Sequence, residues 1–100
     1  MRYIFDRFEF NDRNGRLSCD DAPVHLRPKL IALLQHLIRQ RGRVVSRQEL
    51  LSHVWPDVRV GGTSLSTLLN EARTLLGDSG DQQNLIRTEP GQGYCFIAHV

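Results

Sequence analysis

Residues 46–77 read SRQELLSHVWPDVRVGGTSLSTLLNEARTLLG, and the first turn of this segment carries a recognisable helix start. Ser46 and Glu49 have the spacing of a capping box, in which the hydroxyl accepts one free N–H and the carboxylate reaches back to another. The box predicts a short helix that ends near Pro56, because proline cannot continue a helix. Its inward residues are predicted to be Leu50, Leu51, Val54 and Trp55.

A second, longer helix is predicted in the same segment. Residues 57–62 have the composition of a loop, and Thr63 can cap the helix that follows. Gly77 stands where the left-handed residue after a helix belongs. The apolar residues between them recur at helical spacing and predict one buried stripe, made of Leu65, Leu69, Ala72 and Leu76 with Leu68 and Leu75 along its edge.

The N-terminal half predicts another helix and a small antiparallel sheet. Pro28 is tolerated at a first helical position and Gly42 is a natural stop. The buried stripe between them is predicted to be Leu30, Leu33, Leu34, Leu37 and Ile38. Turn signals at Asn14-Gly15 and over residues 20–23 separate short strands. The predicted strands are Tyr3–Phe5, Phe8–Phe10, Arg16–Cys19 and Val24–Leu26.

The C-terminal residues predict a closing hairpin. Residues 85–88 and 94–98 have the composition of two strands. Pro90-Gly91 between them is typical of a type II turn, because glycine accepts the positive φ of that turn at little cost. Val44-Val45, ahead of the short helix, is predicted as a two-residue strand.

The predicted order of elements is strands, three helices and a hairpin. This order describes an α+β fold, a winged helix-turn-helix with an N-terminal antiparallel sheet. We expect one domain over residues 1–100, with the sheet over 1–26, the helical core over 27–77 and the wing over 85–98. In such a fold the longer helix can enter the major groove of DNA, and the hairpin can reach an adjacent groove or the backbone.

The composition excludes several classes of protein. The 100 residues, 40% hydrophobic and 24% charged, are typical of one soluble domain. The longest apolar run, residues 30–34, is too short to cross a membrane. Cys19 and Cys95 do not make a disulfide framework, so we predict free thiols in the reducing cytoplasm, with a disulfide between them as the alternative.

No motif for catalysis or for a metal is found in the sequence. Cys95 and His99 are the closest Cys/His pair, and two ligands do not make a zinc site. A nucleophile elbow, a phosphate-binding glycine-rich loop and a His-Glu-x-x-His motif are all missing. We therefore predict no enzyme, no metal and no cofactor.

Basic residues concentrate in the middle of the chain. The formal net charge is +2, but no acid stands between Asp21 and Glu49. The basic residues of this interval are Arg27, Lys29, Arg39, Arg41, Arg43 and Arg47. Such a cluster is typical of a nucleic-acid surface, and a solvated helix face with an arginine-rich end has the same composition. Charge alone favours the solvated face.

Four segments together match the pattern of a known family. They are LRPK at 26–29, GRVVSRQELLSHVWP at 42–56, LLGD at 75–78 and IRTEPGQGY at 86–94. Each is weak alone, but in this order and spacing the chain resembles the DNA-binding domain of the OmpR/PhoB family of bacterial transcription regulators. The resemblance covers essentially the whole chain. It implies sequence-specific binding of double-stranded DNA by the output domain of a regulator.

The layout is most similar to the ToxR/CadC-like regulators, which place this domain first. The Pro90-Gly91 wing resembles theirs, and Met1 directly precedes the first strand. The resemblance implies a cytoplasmic domain of a longer regulator, with any membrane anchor in a region outside these residues. It also implies a dimer or tandem protomers on DNA, and a contact between the 57–62 loop and RNA polymerase.

The resemblance implies DNA-binding roles in the second and third helices and in the wing, for Arg47, Ser64, Thr67, Asn70, Glu71, Arg73, Thr74, Thr88 and Gln92. Asn70 can bond adenine N6 and N7, and Glu71 can accept from cytosine N4. Arg47 can contact a phosphate at a helix N-terminus, which attracts anions. The alternatives are structural: a solvated helix face, an internal ion pair for Arg73, and ordinary hairpin residues in the wing.

The third helix and the wing depart from the family pattern in charge. Arg73 is the one basic residue of the predicted third helix and lies near the edge of the predicted core. The wing has no basic residue at Pro90 or Gln92, where the family often presents arginine. We therefore predict weak phosphate clamping. The same departure favours an alternative function, a winged-helix module whose outward helix face contacts protein.

Overall fold

The N-terminal part of the protein is a four-stranded antiparallel sheet. The computed structural model describes residues 1–61 and 63–100 in full, and residue 62 only as the first residue of a helix. The strands are β1 (Arg2–Phe5), β2 (Phe8–Asn11), β3 (Arg16–Cys19) and β4 (Ala22–Val24), in the order β1-β2-β3-β4. Side chains on one face are buried, as the two-residue period of a strand requires. They are Tyr3, Phe5, Phe8, Phe10 and Leu17.

The fourth strand begins two residues earlier than predicted. Cys19 pairs directly with Ala22, so the turn consists of two residues rather than four. Asp20 and Asp21 both have positive φ, 50° and 67°, which is the backbone of a type I′ hairpin turn. Pro23 fits into the strand because β4 lies at the edge of the sheet.

Three helices follow the sheet: α1 (Pro28–Arg39), α2 (Arg47–Val54) and α3 (Gly62–Leu75). The predicted stripes of the first and third helices are buried and form the core together with the inner face of the sheet. The predicted cap of α3 was wrong. Gly61 is the N-cap, so Thr63 lies in the first turn of the helix. Glycine is an acceptable N-cap because it adopts the extended conformation required there.

The predicted capping box of α2 forms only in part. The hydroxyl of Ser46 accepts the N–H of Glu49 at 3.0 Å, as expected. The carboxylate of Glu49 is instead bonded by Arg43 at 2.7 Å and by Nε2 of His36 on α1. These two partners hold the pKa of Glu49 at about 2. The residue therefore joins α2 to α1 rather than closing its own helix end.

The C-terminal hairpin is formed by β5 (Ile86–Glu89) and β6 (Gly93–Phe96). The N–H of Gln92 donates to the carbonyl of Glu89 at 2.9 Å across Pro90 and Gly91, and Gly91 has φ 74°. These are the features of the predicted type II turn. The hairpin extends from the helical core as a wing, so the predicted winged helix-turn-helix is confirmed.

A single bridge joins the wing to the segment before α2. Val45 and Tyr94 exchange backbone hydrogen bonds of 2.7 and 2.9 Å, which reduces the predicted Val44-Val45 strand to one residue. Gly93 makes this approach possible. A Cβ at Gly93, where φ is 150°, would lie 2.0 Å from the carbonyl oxygen of Val45. The end of the wing next to its turn is therefore in direct backbone contact with the residue before the N-cap of α2.

Candidate nucleic-acid interface

The outward face of α3 is polar and uncharged at its centre. Thr67, Asn70 and Thr74 are exposed on the side opposite the buried stripe, and Ser64 is exposed one turn before them. The stripe fixes this orientation, because Leu65, Leu69 and Ala72 are each at most 1% exposed. The structure therefore brings these four of the predicted site residues together on one accessible helix face.

A shallow depression lies beside the N-terminal half of this face. It has a volume of about 330 Å³, and its walls include Arg27, Lys29, Trp55, Thr63, Ser64 and Thr67. Lys29 donates to the carbonyl of Val54 at 2.9 Å, with its ammonium 5.8 Å from the centre of the Trp55 ring. Two cations from the start of α1 therefore lie at one edge of α3, a position that no local pattern in the sequence indicates.

Glu71 lies at the same edge and is paired. Arg27, the N-cap residue of α1, donates from Nε and Nη2 to the two carboxylate oxygens, at 3.0 and 2.5 Å. This pair holds the pKa of Glu71 below its usual range. The partners are 44 residues apart in sequence, so no helical periodicity indicates the contact. Glu71 is thus a fixed, half-exposed anion at the rim of the helix face.

Arg73 does not lie on the exposed face. Its predicted contact with DNA is wrong, because the side chain faces the interior. Its side chain is buried, with 5% of the residue exposed. It donates to the carbonyl of Ile86 at 3.0 and 3.2 Å and to the hydroxyl of Thr88 at 2.8 Å. Thr88 is half-buried and accepts this bond, so its predicted contact with DNA stays a prediction. The partner of Arg73 is a strand of the wing rather than an acid.

The wing contributes a polar tip. Gln92 is exposed in the turn. Arg87 and Glu89 form an ion pair with a 2.5 Å contact on β5. Arg47, the first residue of α2, donates to the phenol oxygen of the buried Tyr94 at 2.9 Å. The predicted residues Arg47 and Gln92 thus both lie near the turn end of the wing, Arg47 beside Tyr94 on β6 and Gln92 in the turn itself.

The basic cluster of the sequence is divided in the structure. Arg39 donates to the carboxylate of Asp12 at 2.8 Å, and the guanidinium of Arg41 lies 5.0 Å from the ring centre of Tyr3, so both face the N-terminal sheet. Arg43 pairs with Glu49. The remaining members are Arg27 and Lys29 beside α3 and Arg47 at the wing. The cluster is therefore not one continuous cationic surface.

A buried carboxylate fixes the connection from α3 to the wing. Asp78, 8% exposed, accepts the backbone N–H groups of Asn84, Leu85 and Ile86 at 2.8 to 3.1 Å. Burial alone would raise its pKa, but these bonds more than offset burial, and the pKa lies below its ordinary value. In the sequence, Asp78 stands out only as the last residue of the LLGD segment at 75–78.

The described residues hold few other candidates for chemistry. Within residues 1–61 and 63–100, no His, Cys, Asp and Glu side chains form a group of three or more that could hold a metal ion. Cys19, half-buried, and Cys95, buried, are free thiols. In the same part of the chain, no helix has the length and apolar character needed to span a lipid bilayer.

Residues 21–96 match the protein family described as "Transcriptional regulatory protein, C terminal". The chain belongs to this family. The resemblance to the OmpR/PhoB-type DNA-binding domain is therefore confirmed, and the family match covers all three helices and both wing strands.

Curated relatives of this transcriptional regulatory family are considerably longer than the chain. The transcriptional regulator HilA of Salmonella typhi is 34% identical over 95 residues, which are 95% of this chain and 17% of HilA. The transcriptional regulatory protein KdpE of Mycobacterium tuberculosis is 35% identical over 94 residues, 93% of this chain and 42% of KdpE. The chain thus spans less than half the length of these relatives.

Solved structures of OmpR/PhoB-type domains have the same fold. The DNA-binding domain of Escherichia coli CadC superposes with a TM-score of 0.80 at 26% identity, over 96% of this chain and 91% of that one. The DNA-binding domain of Klebsiella pneumoniae RstA, solved in complex with the RstA box, gives a TM-score of 0.83 at 22% identity over 98% of both chains.

Proposed function

We propose that the chain binds double-stranded DNA in a sequence-specific manner, as the output domain of a bacterial transcription regulator. The observation that carries this proposal is the exposed polar face of α3, placed between the cations at the start of α1 and the wing. A helix of this kind fits the major groove, and a hairpin beside it reaches the flanking groove or backbone. The family and the relatives named as transcriptional regulators support the same function.

The residues of the face differ in what they can recognise. Asn70 can form a bidentate pair with N6 and N7 of adenine, and Glu71 can accept from N4 of cytosine. Thr67, Thr74 and Ser64 can bond either bases or phosphates. These contacts would supply the sequence preference of the domain.

Phosphate contacts would come from the ends of the interface. Arg47 lies at the N-terminus of α2, where free N–H groups also favour an anion. Gln92 lies exposed at the wing tip and can bond the backbone or the minor groove. Arg73 and Thr88 serve the interface indirectly, because they hold α3 and the wing together. Direct contact of the buried Arg73 with DNA is no longer part of the proposal, whereas the half-buried Thr88 can still contact DNA from the wing.

A partner protein is proposed at the 57–62 loop. Val58 is 61% exposed there, whereas Val60 is half-buried. An exposed apolar side chain on a loop beside the DNA-facing helix offers a contact for RNA polymerase bound next to the domain. We also propose that two protomers occupy adjacent half-sites, since one domain offers few cations for phosphate.

One observation favours a second function, a protein-contact module. The centre of the α3 face has no cation among the described residues, and the arginines Arg27, Arg39, Arg43 and Arg87 all pair with carboxylates. A neutral polar face could bind protein instead of the polyanionic duplex. DNA binding at low salt distinguishes the two functions.

Selection from a pool of duplexes with a randomised core tests the proposal. The chain should enrich a defined sequence, and Asn70→Ala should weaken binding to that sequence by about 1–3 kcal/mol and relax one base position. Ser18→Ala, a change in the distant sheet, is the control and should leave the sequence preference unchanged. If Asn70→Ala keeps full discrimination at every position, Asn70 does not read a base.

A further inference from the structure

The pair formed by Arg27 and Glu71 has an unusual position for an ion pair. It joins the residue before α1 to the DNA-facing helix, and the two groups meet as a fork with two hydrogen bonds. Both side chains still reach solvent, at 57% exposure for Arg27 and 38% for Glu71. The pair therefore holds a carboxylate in one orientation at the rim of the α3 face and leaves it accessible to a ligand.

The carboxylate keeps the capacity to accept further hydrogen bonds. Each of its oxygens has two lone-pair sites, and Arg27 occupies one site on each. The bidentate geometry restricts the rotation of Glu71, because both oxygens are engaged at once. Two acceptor sites with a defined direction thus remain free for a donor that approaches α3 from outside.

The major groove offers donors of only one kind. The exocyclic amino groups of cytosine and adenine donate there, whereas guanine and thymine present oxygen acceptors that a carboxylate repels. Cytosine is the base that matches a carboxylate best, because its edge carries the N4 donor without the neighbouring N7 acceptor of adenine.

We infer that Arg27 is a positioning residue for specificity: it orients the carboxylate of Glu71 to accept from N4 of cytosine, and so sets a C·G preference at one base pair. This inference rests on the proposed DNA-binding function. Arg27 acts through Glu71 rather than by contact with the base. Lysine could supply the same charge, but only the planar guanidinium engages both oxygens.

The test begins with the duplex sequence selected by the unmodified chain from the randomised pool. Glu71→Gln first locates the base pair in question, because an amide prefers adenine and should move the preference there from C to A. Fluorescence anisotropy on four duplexes that differ only at that pair then measures discrimination. The unmodified chain should prefer C·G by about tenfold or more.

Arg27→Ala should reduce this preference to about twofold or less and leave the preferences at other positions unchanged. Arg27→Lys should give nearly the same loss, because the charge is kept without the fork. Arg7→Ala is the matched control, since it removes an arginine that is also exposed and paired, with Asp20 of the N-terminal sheet. It should leave the preference intact. Exposed pairs contribute little to folding, so all variants should fold, which thermal melts verify.

Three results would overturn the inference. Arg27→Ala could weaken every duplex by the same factor with all preferences retained, which would make Arg27 a phosphate contact. Glu71→Gln could change no position, or Arg7→Ala could flatten the same position as Arg27→Ala. If the unmodified chain enriches no sequence at all, the proposed function itself fails, and the inference fails with it.

Discussion

Arg73 donates to the hydroxyl of Thr88 at 2.8 Å, and this bond ties the third helix to the first strand of the wing. The same guanidinium donates twice to the carbonyl of Ile86, which is fully buried. Because both partners lie on β5, this side chain joins the helix proposed to enter the major groove to the hairpin beside it. Arg73 is thus a structural residue that connects α3 to β5.

Replacing Arg73 should destabilise the fold. Arg73→Met keeps the aliphatic volume but removes the donors, and it leaves the buried carbonyl of Ile86 without its partner. We expect a loss of about 1–3 kcal/mol in the free energy of unfolding, measured by urea denaturation. Thr74→Ala, the adjacent exposed position, should change it by less than about 0.5 kcal/mol. An unchanged urea midpoint for Arg73→Met would contradict the internal role.

Gly93 should tolerate no side chain. Gly93→Ala places a Cβ against the carbonyl of Val45, so the backbone bridge between Val45 and Tyr94 must open. We expect a loss of more than about 3 kcal/mol. Gly91→Ala is the matched control, because its φ is also positive at 74° but its Cβ meets nothing within 4 Å. That change should cost only about 1–2 kcal/mol. Equal costs would show that backbone strain, rather than the clash, decides the outcome.

The elements of this fold could be predicted because their signals are local. Apolar spacing located the first and third helices, the Ser46 cap located the second, and the Pro90-Gly91 pair identified the turn of the wing. The errors also arose from local choices. Two aspartates in the left-handed conformation shortened the turn before β4, and Gly61 served as the N-cap in place of Thr63. Composition alone does not rank such options, because each satisfies the same backbone requirement.

The candidate site was harder to predict because it depends on long-range pairing. Asn70 and Thr74 follow from the helix period, since they lie opposite the buried stripe. Arg73 has the same residue type as a phosphate contact, and only the position of β5 shows that it faces inward. The pair of Arg27 and Glu71 spans 44 residues, so it exists only after α1 and α3 have packed. Charge partners of this kind leave no periodic signal.

Stability should fall in acid through Glu49. Arg43 and His36 hold the pKa of Glu49 at about 2, below the ordinary 4.5. Above about pH 4.5 the carboxylate is ionised in both states, and its bonds contribute fully to folding. As the pH falls from about 4.5 to about 2, the unfolded chain takes up the proton first, so this contribution is lost. Urea midpoints across that window should fall less steeply for Glu49→Gln, and identical slopes for the two proteins would contradict this assignment.

Binding of one domain to one half-site should be weak and should depend little on salt. Among the cations of the helical core and the wing, Arg27, Arg43 and Arg87 pair with carboxylates and Arg73 is buried, so few are available to phosphate. We therefore expect about three phosphates to be neutralised, each contributing about −0.9 to the slope of log affinity against log salt. The slope should be about −3.

A salt series by fluorescence anisotropy measures this slope. Raising the salt from about 50 to about 200 mM should cost less than about a hundredfold in affinity, against 10³–10⁵ for proteins that make about 6–10 phosphate contacts. A duplex with two adjacent half-sites should bind far more tightly when two domains are linked, because the second contact then occurs at a high effective concentration. Nanomolar binding of one domain to one half-site with a slope steeper than about −6 would contradict the weak clamp. No binding to any duplex at low salt would favour the protein-contact function, because electrostatic attraction to DNA is strongest under that condition. The neutral face of α3 would then be available to a protein partner.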